Sequence, residues 1–170
     1  MNFLAICGSL REGSSNHNLL RAFHRQCPRD TVWNLFAIND LPYFDPQLQF
    51  SSEIPRSVAH FRALAAKADC IVIATPEYAH GIPGILKNAL EWLVCEETMK
   101  KSVAVLIGTS SGGEYVRQYL AETLRTMDLI LPDSAILTVR TARQHISPEG
   151  EISEENLARE IQSFTKQLLK

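Results

Sequence analysis

The chain predicts an α/β fold, a five-stranded parallel sheet with helices on both faces. Three observations carry this. Short apolar runs alternate regularly with amphipathic stretches, the pattern of a parallel sheet with crossover helices. The runs show no alternation of apolar and polar residues, as expected of strands covered on both faces. The length of 170 residues suits one domain, residues 1–170, with a core of its own.

Four apolar runs read as buried strands: Phe3–Cys7, Cys70–Thr75, Val103–Ile107 and Ala135–Val139. A weaker one, Val32–Ala37, lies early in the chain. Between them lie helical patterns. Asn16–Gln26 carries Leu19, Leu20 and Phe23, and Ser57–Lys67 carries Phe61, Leu64 and Ala65. Pro83–Cys95 places Ile85, Leu86, Ala89, Leu90 and Leu93 at helical spacing, with Pro83 suited to the first turn. Tyr115–Met127 and Glu154–Leu169 complete the set, the last with Leu157, Ile161, Phe164 and Leu168 in one stripe. Arg140–Glu151 holds no motif and reads as a surface connection before the last helix.

Right-handed crossovers leave few topologies for this order. The strand order 2-1-3-4-5 is favoured, and it places ligands outside the carboxyl ends of strands beside the switch point. The loops to inspect are therefore those after Cys7, Thr75 and Gly108.

Charge and cysteine usage narrow the function classes. The 17 basic and 19 acidic residues are scattered and nearly balanced, giving no footprint for nucleic acid or a membrane surface. Cys7, Cys27, Cys70 and Cys95 form no CxxC pair and no zinc spacing. They read as inert core thiols of a cytoplasmic protein. The N-terminus lacks the basic start of a secretion signal, and no apolar stretch is long enough to span a membrane.

The first loop, Gly8–Asn16, follows a strand and opens a helix. Its backbone N–H groups and the positive end of the helix dipole favour an anion. Ser9, Ser14, Ser15 and Asn16 add neutral donors, and Arg11 adds a charged fork suited to phosphate. Neither a dinucleotide fingerprint nor a Walker A loop is present. A plainer reading makes Ser14 or Ser15 a helix cap, but Arg11 and so many hydroxyls exceed what a cap needs. The second loop, Thr75–Gly84, holds two prolines and two glycines, which fix an irregular backbone able to meet the edge of a flat heterocycle. Tyr78 offers an aromatic face there. The third loop, Gly108–Glu114, is glycine-rich and permits close backbone approach to a ligand.

Gly8-Ser9-Leu10-Arg11 with Ser14 and Asn16 resembles the phosphate loop of the NADPH-dependent FMN reductases. Pro76-Glu77-Tyr78 followed by Ile82–Trp92 is similar to that family's long P-E-Y…P-G-x-L-K-N-A-x-D-W segment. Leu41–Asp45 resembles the family's loop after the second strand, and Ser110, Gly112 and Gly113 its glycine-rich loop. The resemblance covers the chain through about Ser134. It implies a flavodoxin-like fold, bound FMN, and NADPH or NADH as electron donor. It implies that Ser9, Arg11, Ser14, Ser15 and Asn16 hold the FMN phosphate. Pro76, Glu77, Tyr78 and Ala79 would line the isoalloxazine, mostly through backbone, and Ser110, Gly112 and Gly113 would approach its other edge. It further implies a homodimer or homotetramer built around the helix that holds Lys87-Asn88-Ala89.

Two departures bear on the substrate side. The family's asparagine after P-E-Y is Ala79 here, and Tyr115-Val116 stand where the family often has a second Gly-Gly, with Arg117 one residue early. The expected activity is electron transfer from a nicotinamide through FMN to a small acceptor such as a quinone, flavin, azo compound or metal oxyanion, by a ping-pong mechanism. No side chain is required as acid or base, so no catalytic residue is assigned. Two alternatives compete. One is a flavin-binding redox-sensing module without significant turnover. The other is a serine hydrolase, because Gly108-Thr109-Ser110-Ser111-Gly112 matches G-x-S-x-G, with Asp133 and His145 downstream.

Overall fold

The computed structural model describes residues 1–169. Five strands form one parallel sheet in the order β2-β1-β3-β4-β5. They are β1 (Asn2–Cys7), β2 (Val32–Phe36), β3 (Cys70–Thr75), β4 (Ser102–Gly108) and β5 (Ile136–Val139). The helices are α1 (Ser15–Gln26), α2 (Arg56–Lys67), α3 (Gly84–Trp92), α4 (Glu114–Thr126), a single turn α5 (Ala142–His145), and α6 (Glu155–Leu168). This is the flavodoxin-like topology that the alternation predicts.

Alternate residues of the three central strands feed two cores. Leu4, Ile6, Ile71, Ile73, Val103, Val105 and Ile107 face α2, α3 and α4, meeting Phe61, Leu86, Leu90, Trp92 and Leu120. Phe3, Ala5, Cys7, Val72, Ala74, Ala104 and Leu106 face α1 and α6, meeting Leu19, Phe23, Ile161 and Phe164. Burial on both sides removes any need for polar positions, hence the unbroken apolar runs. β2 is an edge strand, and Val32 and Leu35 stay exposed, so its sequence signal is weaker.

Most element ends differ from the sequence reading by one residue, and one differs by three. α3 ends at Trp92 rather than Cys95. Leu93 and Cys95 still enter the core, but from a turn in which the Thr98 hydroxyl bonds the Leu93 and Cys95 carbonyls. Ala135 belongs to a 3-10 turn ahead of β5.

The Lys87–Trp92 stretch is a scaffold for the loop after β2. Asn88 Oδ1 accepts from the Phe44 N–H at 2.7 Å, and its Nδ2 donates to the Pro42 carbonyl at 2.9 Å. Trp92 Nε1 donates to the same carbonyl at 2.9 Å. One face of α3 thus fixes Leu41–Asp45 above the sheet. Among the described residues no helix is long and apolar enough to cross a membrane.

Candidate functional site

All strands run parallel, so the loops after β1, β3, β4 and β5 emerge along one edge of the sheet. There they enclose a cleft of about 350 Å³. Its wall holds nine of the twelve residues expected from sequence: Ser9, Arg11, Ser14, Ser15, Asn16, Pro76, Glu77, Tyr78 and Ser110. Ala79 lies instead at the exposed tip of the second loop. Gly112 borders a neighbouring polar recess, and Gly113 is buried at the start of α4.

The first loop is built around two buried serines. Ser14 is 1% exposed and caps α1, its hydroxyl accepting the Asn16 N–H at 3.2 Å. Ser9 is 2% exposed. Its hydroxyl accepts the Arg11 N–H at 3.4 Å and lies 3.3 Å from the Tyr78 hydroxyl, joining the first loop to the second. Both plain and functional readings of Ser14 are thus compatible: it caps the helix while lining the cleft.

The Asn16 side chain is committed elsewhere than the phosphate role expected of it. Its Nδ2 donates to the Gly108 carbonyl and its Oδ1 accepts the Gly108 N–H, both at 3.0 Å. This bidentate clasp ties the first loop to the end of β4. Only glycine allows it, since a Cβ at position 108 would fall 2.7 Å from Asn16 Oδ1.

Glu77 performs the equivalent task between the second and third loops. Its Oε2 accepts the Val116 N–H in the first turn of α4, and its Oε1 accepts the Ser111 hydroxyl, each at 3.0 Å. The Val116 N–H is the main reason its carboxyl is held below the ordinary range; the Ser111 hydroxyl and nearby His80 act in the same direction against desolvation. An acid committed in this way is a clamp rather than a proton shuttle.

Beyond Glu77 the second loop turns sharply. The Tyr78 N–H donates to the Gly81 carbonyl at 3.2 Å, and the Gly81 N–H to the Tyr78 carbonyl at 2.9 Å. Ala79 (φ 48) and His80 (φ 55) occupy the left-handed region between them. Positive φ at both central residues defines a type I′ turn. The turn sets His80 against Tyr115, their rings stacked with centroids 4.3 Å apart.

The sequence reading missed a fourth wall. Arg140, Ala142 and Arg143, from the turn after β5, also line the cleft. Two arginines beyond the carboxyl end of a predicted strand were the available signal. The segment they open is more than a surface connection, because Ala142, Ile146 and Gly150 are buried. Arg11, Arg140 and Arg143 have no carboxylate partner among the described residues. The ion pairs found there are Arg25–Glu151, Lys87–Glu91, Arg125–Asp133 and Arg159–Glu155, all outside the cleft. With Glu77 as its one carboxylate, the cleft is built for a ligand carrying negative charge.

The hydrolase alternative does not assemble. Asp133 precedes β5, at the opposite edge of the sheet from Ser110, and pairs with Arg125 at 2.9 Å. His145 faces the Ser153 hydroxyl at 3.4 Å rather than Ser110. The four thiols are free. Burial pushes Cys7 and Cys27 up to about 11 and Cys70 up to about 12, and it raises Cys95 as well. They are protonated at neutral pH, in keeping with inert core cysteines.

Comparison with known proteins gives consistent results. A family model described as NADPH-dependent FMN reductase matches residues 1–144. The NADH:(hydroxy)cinnamate reductase subunit CrdA of Vibrio ruber is 30% identical over 176 residues, covering 99% of this chain and 86% of that one. A quinone reductase of Escherichia coli is 30% identical over 159 residues, covering 89% of this chain and 85% of the relative. Among solved structures, the flavoenzyme NAD(P)H:(acceptor) oxidoreductase FerB of Paracoccus denitrificans superposes with a TM-score of 0.89 at 22% identity, covering 99% and 94% of the two chains.

Proposed function

The chain belongs to the NADPH-dependent FMN reductase family, and from that premise we propose that the cleft at the carboxyl edge of its sheet binds FMN and serves NAD(P)H-dependent reduction of a small acceptor of the quinone or flavin kind. The observation that carries this reading is one continuous wall formed by buried Ser9 and Ser14, the Arg11 guanidinium, and the Pro76-Glu77-Tyr78 segment.

The residues present fit the group. A volume of about 350 Å³ lies in the range of small-molecule sites, roughly 300–1,000 Å³. In this reading Arg11, Ser9, Ser14, Ser15 and the first turn of α1 take the phosphate. Asn16 acts by holding Gly108 in place. Pro76, Glu77 and Tyr78 face one edge of the ring system and Ser110 the other, while Ala79, Gly112 and Gly113 shape the loops that carry them from outside the cleft wall. When bound, FMN supplies the capacity to accept a hydride and pass electrons on.

The protein's share is positioning. The clasp of Asn16 on Gly108 and the clamp of Glu77 on Val116 and Ser111 keep three loops in register before any ligand arrives. Preorganised loops lower the ordering cost of binding. Tyr78, half exposed at the lip, presents a flat apolar surface to a planar ligand. Donor and acceptor share this lip and take turns, so double-reciprocal plots with NADPH and a quinone should be parallel. Intersecting lines would exclude the alternating scheme.

The reading extends to a homo-oligomer about α3, supported by the shallow groove in which Leu90, Val94 and Met127 lie between α3 and α4. It also extends to the cytoplasm, supported by four free, mostly buried thiols. The test is an absorption spectrum before and after anaerobic NADPH. Oxidised-flavin bands that bleach rapidly are expected. A protein that stays colourless with added FMN would refute the reading, and flavin that binds without bleaching would favour a redox switch.

A further inference from the structure

The segment from Arg140 to Glu151 runs antiparallel along α1. At the far end Arg25 pairs with Glu151 at 3.4 Å. Nearer the site, Arg21 Nη1 donates to the Pro148 carbonyl at 2.7 Å, and Asn18 Nδ2 to the Ile146 carbonyl at 3.2 Å. Gly150 lies so close to α1 that a Cβ there would sit 2.7 Å from the Ala22 nitrogen. Each step of three or four residues toward the start of α1 moves the partner two or three residues back. Ser14 and Ser15 at the start of α1 and Ala142 and Arg143 at the start of the segment border one cleft. Ala142 is buried beside Val139 and Ile146, which fixes the backbone that carries Arg143.

We propose that Arg143 is a second phosphate-binding cation, which makes this cleft selective for a phosphomonoester such as FMN over riboflavin or a diester-linked flavin. This rests on the FMN reading above. A phosphomonoester carries about −1.5 to −2 charges at pH 7. Arg11 balances about one of them, and Arg143, delivered to the start of α1 from the opposite wall, balances the second. Arg140 is placed differently: its Nη2 lies 3.5 Å from the position a Cβ on Gly112 would take, toward the third loop. Riboflavin has no phosphate to engage the pair, and a diester has one negative charge fewer at that phosphorus.

The experiment is fluorescence titration of flavin-stripped protein with FMN and with riboflavin, using the unmodified chain, Arg143→Ala and Arg143→Lys. Arg143→Ala should weaken FMN by about tenfold to a hundredfold, the loss of a charge-assisted hydrogen bond, and leave riboflavin affinity unchanged. Arg143→Lys, which keeps the charge but not the fork, should recover part of the FMN affinity. Equal weakening of both flavins would assign Arg143 a structural role and overturn the proposal. So would an unchanged FMN affinity. If the unmodified protein itself binds neither flavin, the FMN reading fails together with the proposal.

Discussion

Replacing Ala79 by asparagine should stabilise the protein. Ala79 and His80 both hold positive φ, 48° and 55°, in a turn closed by backbone bonds of 3.2 and 2.9 Å. For a residue with a Cβ the left-handed conformation costs roughly 1–2 kcal/mol. Asparagine tolerates it far better. Ala79 is exposed, so its methyl group contributes little packing to lose. The expected gain for Ala79→Asn is about 0.5–1 kcal/mol, or about 1–4 °C in Tm for a chain of this size. Ala79→Gly removes the same strain but adds about 0.5–1 kcal/mol of unfolded-chain entropy, leaving a smaller gain. Ala79→Val should destabilise, since a branched Cβ at positive φ is a genuine outlier. Urea denaturation of the three variants measures this, with the slope m unchanged and the midpoint shifted. If asparagine and glycine are neutral or destabilising, or valine is tolerated, the turn does not store the strain argued for it.

Arg11→Ala should weaken FMN binding by about 1.5–3 kcal/mol in a direct titration with little change in Tm, because its guanidinium pairs with no carboxylate among the described residues; unchanged affinity would place the phosphate elsewhere. Asn16→Ala strips the buried Gly108 N–H and carbonyl of their partners and should cost about 2–4 kcal/mol in urea unfolding; a cost below that of one exposed hydrogen bond would refute the clasp. Glu77 has its folded pKa lowered below the ordinary 4.5. Its contribution is therefore present above the unfolded pKa and fades as pH falls through the folded one. Glu77→Gln should lose stability at neutral pH and show a shallower acid limb in Tm measured against pH.

How far the sequence reaches depends on the kind of force. The three central strands are legible because burial on both faces leaves only apolar residues from Phe3 to Cys7, from Cys70 to Ala74 and from Val103 to Ile107. Edge strand β2, with Val32 and Leu35 in solvent, gives a fainter trace. The end of α3 is misread because Leu93 remains in the core although its backbone has left the helix. Apolar periodicity reports burial, not hydrogen bonding. The loops after β1, β3 and β4 are legible as walls of the cleft because their glycine, proline and hydroxyl content is local in the sequence. The wall after β5 is not, because its placement depends on polar contacts such as Asn18 to Ile146 and Arg21 to Pro148, each spanning more than 120 residues. Asn16 and Glu77 stand between these cases. Both are visible as site residues, but their clasping roles depend on Gly108 and Val116, far along the chain.

The segment from Arg140 to Gly150 also links the cleft to a distant face of α1. Asn18, Arg21 and the backbone at Ala22 hold it through contacts at Ile146, Pro148 and Gly150, while its first residues, Arg140, Ala142 and Arg143, form the last wall of the cleft. A substitution at Asn18 or Arg21, neither of which borders the cleft, therefore reaches that wall through the segment alone and leaves the first three loops in place.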